Sequence, residues 1–344
     1  MHPGARAHAG ERASFAAFVL HIFAKKCLRW SPAYLRLAGG QSLYVSHSQG
    51  KLVRSITAIT LFLFTVLGAT ATHATYIWTP LDHPSAIGTY LRGIDGANIV
   101  GSYTDSSGHH GTLYDGSTWH TLDHPSATDT YLHGINGANI VGYYTDSSGW
   151  HGTLYDGSTW HTLDYPSPAY TWSNGIDGTN IVGSYDDGIG YHGFHYDGST
   201  WHTLDPPGAT NTYLFGIAGS DMVGAYTDSS GKHGTLYDGS TWHTLDHPSA
   251  TGTYLTGIDG TNIVGYYTDS SGSHGTLYAG STWHTLDPLG ATNTYLFDID
   301  GTNMVGSYTD SSGHHGFMVT AVPEPATLLL ALLGLALLPR RRRR

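Results

Sequence analysis

The chain has 344 residues, of which 12% are charged, and it is rich in glycine (46) and tyrosine (24). This composition favours a β-rich extracellular protein over a helical cytoplasmic one. Residues 75–321 hold two basic residues, Arg92 and Lys232, against 24 aspartates, a formal charge of −22. Because such a charge repels phosphate backbones, nucleic acid is excluded as a partner, and cations or neutral glycans are better candidates.

The N-terminal part of the chain has the pattern of an export signal. An apolar run over residues 56–71 follows Lys51 and Arg54 and ends in small residues up to Ala74. We therefore predict a signal helix within residues 51–74 and export through the Sec machinery, with a retained membrane anchor as the alternative. Residues 1–50 lack this pattern and are predicted to be disordered or to precede the true translation start. The only cysteine, Cys27, lies before the cleavage site, so no disulfide supports the mature protein.

Residues 75–320 consist of six copies of a 41-residue unit. A Leu-Asp pair, a Val-Gly pair and a His-Gly pair each recur six times at this spacing, without insertion or deletion. The His-Gly pairs begin at His110, His151, His192, His233, His274 and His315. Such regular spacing indicates one supersecondary element repeated along the chain.

One unit contains four predicted strands. In the second copy they cover residues 130–135, 139–145, 151–155 and 159–164, separated by the turns Asn136-Gly137, 146–149 and Asp156-Gly157. Asn-Gly and Asp-Gly between β-rich runs are strong hairpin signals. Each unit is therefore predicted to be a four-stranded antiparallel meander.

Four strands in about 40 residues match the blade of a β-propeller. The repeat region opens on a lone fourth-type strand, residues 76–82, and ends on a third-type strand, residues 315–320. If these two strands pair, 24 strands make six closed blades without free sheet edges. We predict an all-β, six-bladed β-propeller over residues 75–320. An open β-solenoid is the alternative, although it would need end caps that the sequence lacks.

The unit resembles the HAF repeat of bacterial extracellular proteins. The likeness lies in GI(N/D)G-x-N-I-V-G-x-Y followed by H-G-x-L-Y-D-G, and it covers roughly residues 75–320. Glycine or threonine stands where that family often has alanine and phenylalanine, as in His151-Gly152-Thr153. The resemblance implies an extracellular location and no particular activity.

The end of the chain has three parts in a fixed order. Pro323, Glu324 and Pro325 precede an apolar stretch over residues 326–338, and the chain ends in Arg340, Arg341, Arg342, Arg343 and Arg344. This order closely resembles the PEP-CTERM sorting signal, whose tail an exosortase recognises in exported bacterial proteins. For residues 321–344 the resemblance implies a short hydrophobic helix, a precursor attached to the inner membrane, and a final location in the envelope or extracellular matrix. An unprocessed membrane anchor is the alternative.

Histidine and aspartate recur in every unit and raise the question of a metal. We predict that the six repeated histidines form hydrogen bonds within the fold, because zinc-type spacing such as HExxH is absent. The aspartates of the Asp-Ser-Ser-Gly segments are predicted to accept bonds from their own turns. No metal or other cofactor is therefore expected, with Ca²⁺ as the weaker alternative.

The sequence contains no nucleophile motif, no Cys/His pair and no phosphate-binding loop. Glycoside hydrolysis needs two carboxylates in different environments. Because near-identical units do not easily provide such a pair, we predict that the protein is not an enzyme.

The third unit departs most from the others, through drift or through a binding role. Aromatic side chains next to carboxylates are suited to holding sugars, and this unit supplies the candidate ligand contacts Tyr165, Tyr170, Trp172, Asp186 and Asp187. We expect an exported envelope or matrix protein, a non-enzymatic binding or structural propeller that contacts extracellular polysaccharide. The alternative is a glycan-processing hydrolase or lyase with its site near the third unit.

Overall fold

The structure is a computed structural model that describes residues 34–36, 42–44, 75–166 and 170–322. The predicted signal helix, the predicted C-terminal helix and the sorting residues Pro323–Pro325 and Arg340–Arg344 lie outside the described residues. Within the described part, no helix has the length and apolar character needed to span a bilayer. The chain divides into two compact units, residues 1–72 and 73–344. In the first, β1 (Tyr34–Arg36) and β2 (Ser42–Tyr44) pair antiparallel.

The second compact unit contains β3 (Thr75–Pro80) and six repeats, here called units 1 to 6. Unit 1 comprises β4 (Gly88–Asp95), β5 (Asn98–Thr104), β6 (His109–Tyr114) and β7 (Trp119–Thr121). Unit 2 comprises β8 (Asp129–Asn136), β9 (Asn139–Asp146), β10 (Gly149–Tyr155) and β11 (Trp160–Thr162). Unit 3 comprises β12 (Tyr170–Asp177), β13 (Asn180–Asp186), β14 (Tyr191–Tyr196) and β15 (Trp201–Thr203).

The remaining units follow the same plan. Unit 4 comprises β16 (Asn211–Ala218), β17 (Asp221–Asp228), β18 (Gly231–Tyr237) and β19 (Trp242–Thr244). Unit 5 comprises β20 (Gly252–Asp259), β21 (Asn262–Asp269), β22 (Gly272–Ala279) and β23 (Thr282–Thr285). Unit 6 comprises β24 (Asn293–Asp300), β25 (Asn303–Asp310) and β26 (Gly313–Val322), with β3 as its fourth strand.

The strands of each unit pair antiparallel in the predicted order, so the predicted all-β architecture of four-stranded units is confirmed. The observed strands start and end within about two residues of the predicted ones, except that the outermost strands of units 1 to 5 are only three or four residues long. Glycines with positive φ make the tight turns between the first two strands, such as Gly137 at φ 60°. The local turn signals in the sequence therefore set the strand boundaries.

The six units form a closed ring. The first strand of each unit is the innermost, and each inner strand contacts the next one around the ring, including β24 with β4. β3 pairs antiparallel with β26, from Phe317 opposite Pro80 to Val322 opposite Thr75. The two ends of the repeat region thus share one sheet. This closure excludes the open solenoid, and it makes the described repeats a β-propeller.

The apolar core lies between adjacent sheets. Around unit 2, for example, Val100 of unit 1 packs with Leu132, Ile135 and Ile140, all of them at least 93% buried. The cores of units 1 and 5 repeat this set of valine, leucine and isoleucine, and Met222 replaces one isoleucine in unit 4. Unit 3 has Ser173 at the position of Leu132 and Phe194 in its core. Because every sheet buries its faces against two neighbours, no unit has a complete core of its own.

Glycines in the inner strands let neighbouring sheets approach closely. A Cβ added at Gly134 would lie 2.7 Å from the carbonyl oxygen of Asn174 and 3.2 Å from the Cα of Gly175. The equivalent positions are Gly93, Gly175, Gly216 and Gly257, and unit 6 alone has a side chain there, Asp298. Backbone therefore packs on backbone around the axis.

At the end of the ring where the inner strands stop, side chains link consecutive units. The Gly137 amide donates to Asp95 Oδ2 at 2.6 Å, and the Gly96 amide donates to Asp300 Oδ2 at 2.7 Å. The second of these bonds joins unit 1 to unit 6 across the closure. Equivalent bonds reach Asn136, Asp177 and Asp259. Only the junction at Ala218 lacks an acceptor side chain at this position among the described residues.

Replacing Gly134 with alanine should destabilise the protein. The new methyl group would overlap backbone atoms of unit 3 that cannot rotate away, so we expect a loss of about 1–3 kcal/mol in the free energy of unfolding. Gly252→Ala is the matched control, because this strand position carries Asp129, Tyr170 or Asn211 in other units. Denaturant unfolding of both variants checks the prediction, and equal stabilities for the two would contradict it.

Candidate functional site

The repeated histidines hold two carboxylates together in each unit. In unit 4, His233 Nδ1 lies 2.8 Å from Asp246 Oδ2, and His233 Nε2 lies 2.9 Å from the hydroxyl of Ser230. That hydroxyl in turn donates to Asp228 Oδ1 at 2.6 Å. The same chain of bonds occurs at His110, His151, His274 and His315. As predicted, these histidines are hydrogen-bonding residues of the fold.

These Ser-His-Asp chains have the composition of a hydrolytic triad, but the direction of the bonds differs. The single hydroxyl proton of Ser230 is donated to Asp228, so it is not donated to the ring of His233. The imidazole then donates from both nitrogens, as a cation between two carboxylates. In unit 3 the serine position is Ile189, and His192 contacts only Asp205 and Asp187. The serine hydroxyl and both ring nitrogens are thus used in hydrogen bonds within the fold.

The surroundings of His110, His151, His192, His233 and His274 favour the charged ring. The hydrogen bond to Asp123, Asp205 or Asp246 is the largest cause of a raised pKa for His110, His192 and His233 respectively. The pKa values of His151 and His274 are also raised, although burial opposes the shift. A raised pKa in the folded state stabilises the fold below about pH 6.5, and this contribution is lost as the pH rises through the raised value.

The Asp246→Asn variant should therefore lose more stability in mild acid than in base. At about pH 6 the charged His233 ring loses an ionic partner, whereas at a pH well above its raised pKa the ring is neutral in both proteins. We expect the loss at the lower pH to exceed that at the higher pH by about 1 kcal/mol or less, since Asp246 is partly solvent-exposed. Asp238→Asn is the control: its partner His243 is 47% exposed, and any loss of stability should be equal at the two pH values. Denaturant unfolding at both pH values measures the difference, and an equal loss would contradict it.

Most of the other aspartates of the described units are surface groups or turn acceptors. Asp105 Oδ1, for example, accepts bonds from the amide and hydroxyl of Ser107 within its own turn. The histidines that follow tryptophan in the outermost strands are half-exposed, as predicted. Among residues 75–166 and 170–322, no group of three or more such side chains is arranged to hold a metal ion.

The strongest variation between units lies at the axis of the ring. In every unit the inner strand has a β-bulge, and the extra residue comes just before the close-approach position. The six bulge residues are of five amino-acid types: Arg92, His133, Asn174, Phe215, Thr256 and Phe297. All six line one small axial cavity of about 40 Å³. The near-identical units therefore carry different side chains at the axis, and Asp298 is the one carboxylate among the residues that line the cavity.

The axial side chains contact one another across unit boundaries. The guanidinium of Arg92 lies over the ring of Phe297, 3.9 Å from its centroid. Asn174 donates to the carbonyl of Leu214 at 2.8 Å, which leaves its Oδ1 to accept from His133 Nδ1 at 2.9 Å. Burial and, secondly, the charge of Arg92 lower the pKa of His133 to about 3, so this ring is neutral. Burial raises the pKa of Asp298 to about 7.

The opposite end of the ring, here called the mouth, is where the inner strands begin, and it carries an aromatic side chain from every unit. The third residue of each inner strand is Tyr90, Tyr131, Trp172, Tyr213, Tyr254 or Tyr295, all partly buried. Across units 2 to 4 the third strands add Trp150 and Tyr191 between these rings. The result is a continuous row of five rings with neighbouring centroids 5.0–6.2 Å apart, the aromatic arc: Tyr131, Trp150, Trp172, Tyr191 and Tyr213.

Three of the five candidate ligand contacts lie at this arc. Tyr170 is 46% exposed and its ring meets Trp172 edge-on at 6.3 Å. Asp186 lies directly across the sheet from Tyr170, and its charge adds to burial in raising the pKa of Tyr213 to about 12. Trp150, which is 37% exposed, belongs to the same group but was not predicted.

The other two candidates are engaged within the fold. Tyr165 stacks on Tyr185 at 3.8 Å, and its hydroxyl bonds to Thr203, so it takes the place that His83, His124 and His247 have in other units. Asp187 accepts the amides of Ile189 and Gly190 and contacts His192 at 3.4 Å. It is the repeated turn aspartate of this unit. The structure therefore brings Tyr170, Trp172 and Asp186 together and gives Tyr165 and Asp187 other contacts.

Comparison with solved structures finds β-propellers at low identity. TolB from Acinetobacter baumannii aligns with 83% of this chain and 73% of its own, at 11% identity and a TM-score of 0.45. The β-propeller domain of the Trilobed protease from Pyrococcus furiosus aligns over 68% and 94%, at 9% identity and a TM-score of 0.42. A catalytically inactive virginiamycin B lyase from Staphylococcus aureus with quinupristin aligns over 72% and 100%, at 12% and 0.37.

No protein-family model and no curated protein matches the chain. The β-propeller fold occurs in both binding proteins and enzymes, and so the fold alone assigns no function.

Proposed function

We propose that this chain is an exported binding protein whose β-propeller holds extracellular polysaccharide at the aromatic arc. The observation that carries the proposal is the continuous row of five rings from Tyr131 to Tyr213, with the carboxylate of Asp186 beside it. Aromatic rings with polar edges offer apolar faces for the C–H surfaces of sugars and hydrogen-bonding groups for their hydroxyls. A carboxylate adds an acceptor for those hydroxyls.

The charge of the propeller supports a neutral ligand. With two basic residues against 24 aspartates over residues 75–321, long acidic polymers would be repelled at low salt. A neutral polysaccharide avoids this penalty. It also presents many equivalent sugar units, so weak contacts can add up along the polymer.

The Trp172→Ala variant should weaken polysaccharide binding. Trp172 is the central ring of the arc and contacts both Trp150 and Tyr191, so its loss should raise the Kd at least about tenfold. Tyr295→Ala, at the same strand position in unit 6 and outside the arc, is the control and should bind normally. Calorimetric titration of the full chain with neutral polysaccharides measures both. Equal weakening by the two variants would contradict a site at the arc.

The proposal treats the protein as a binder without catalytic activity, and a hydrolase or lyase acting near unit 3 is the alternative. A reducing-end release assay on the same polysaccharides separates the two. Turnover that disappears in Asp186→Asn or Asp187→Asn would replace the binding proposal with the enzymatic one. We expect no turnover in the wild-type protein.

We further propose that the tail sorts the protein to the envelope or matrix through an exosortase, after export through the Sec machinery. Changing Pro323, Glu324 and Pro325 together to alanine should leave the precursor in the inner-membrane fraction. Fractionation and mass analysis of the mature chain measure this, with a strain that lacks the exosortase as the comparison. An unchanged distribution in the triple variant would contradict the sorting role.

A further inference from the structure

Arg92 places a positive charge inside the ring without an ionic partner. Among the described residues, no carboxylate oxygen lies within 4.0 Å of its guanidinium, and none of them forms a hydrogen bond with it. Its guanidinium lies over the face of Phe297, and Tyr90, Tyr143 and Tyr266 are near enough to influence its pKa. Arg92 is partly buried, and a partly buried guanidinium without a counter-charge favours an anion beside it.

Backbone amides of the inner strands point into the same cavity. Ile94 follows the close-approach glycine of unit 1, and its N–H turns away from its sheet and donates to Asp298 Oδ2 at 3.0 Å. Four other isoleucines have the same strand position in units 2 to 5, so their N–H groups point in the same direction. These residues line the cavity while their side chains lie in the core: Ile135, Ile176, Ile217 and Ile258. Several amide donors directed at one point form an anion-binding concavity.

Unit 6 places a carboxyl group at this ring of amides. Asp298 replaces the glycine found in the other five units, and its carboxylate accepts a bond from the amide of Ile94. The chain thus supplies one carboxyl group beside the axial amides of Ile94 and Ile299. The other four, together with Arg92, have no such group from within the described residues.

We propose that the axial cavity binds one small monovalent anion of about the size of chloride, between the Arg92 guanidinium and the amides of Ile135, Ile176, Ile217 and Ile258. The volume of about 40 Å³ admits an ion of this size or a few water molecules and excludes a sugar ring. This site is separate from the aromatic arc, and the proposal does not depend on the proposed function.

Binding of the anion should weaken above neutral pH. The groups that face the site are Arg92, which stays charged, His133, which is neutral, the neutral tyrosines, and Asp298. Asp298 becomes negative as the pH rises through about 7 and then competes with the anion.

The experiment compares the melting temperature of the full chain in chloride and in gluconate, a larger anion, at equal ionic strength and about pH 6. Ligand binding to the native state raises the melting temperature with ligand concentration, so we expect chloride to raise it by at least about 2 °C relative to gluconate. Arg92→Gln should abolish this difference. Asp298→Asn should keep it up to about pH 8, where the wild-type difference shrinks.

Crystals of the wild-type protein grown in bromide decide the location and do not depend on the variants folding. An anomalous peak on the axis next to Arg92 supports the proposal. Absence of that peak overturns it, as does a chloride effect that is equally large in Arg92→Gln or one that is absent from the wild-type protein.

Discussion

The contact on which the rest of the structure depends is the approach of backbone to backbone around the axis. At Gly134 the neighbouring strand is so near that a Cβ would overlap the carbonyl oxygen of Asn174. Five units keep glycine at this position, and the ring can therefore be narrow. A narrow ring leaves room for a cavity of only about 40 Å³, which limits what the axis can hold to an ion or a few waters.

The same strands combine strict packing with local freedom. The position before each glycine is the extra residue of a β-bulge, so it does not have to match a partner across the sheet. Arg92, His133 and Phe215 can therefore replace one another at equivalent places without disturbing the ladder. The repeats stay uniform where sheets touch and differ where side chains face the axis. Only the differing positions can make one unit chemically distinct from the next.

The sequence predicted the strands, the closed ring and the hydrogen-bonding role of the histidines, because these follow from local turn signals repeated at a fixed spacing. It did not predict the axial group, because a bulge breaks the alternation by which inward and outward residues are recognised. Arg92 and Thr256 then looked like ordinary strand residues. Tyr165 was grouped with Tyr170 because they are close in sequence, but they occupy opposite ends of a connection, and Tyr165 stacks on Tyr185 instead.

The periphery of the ring is acidic, whereas the axis carries a positive charge. At the periphery, each repeated histidine lies between two carboxylates, as His233 does between Asp228 and Asp246, and reduces their mutual repulsion while it is protonated. At the axis, Arg92 is a lone cation among aromatic rings and amides. The acidic exterior deters large polyanions from the mouth, whereas a small anion at the axis is screened by salt from the exterior and responds mainly to the charge beside it. A neutral polymer at the mouth and a small anion at the axis are therefore compatible occupants of one ring.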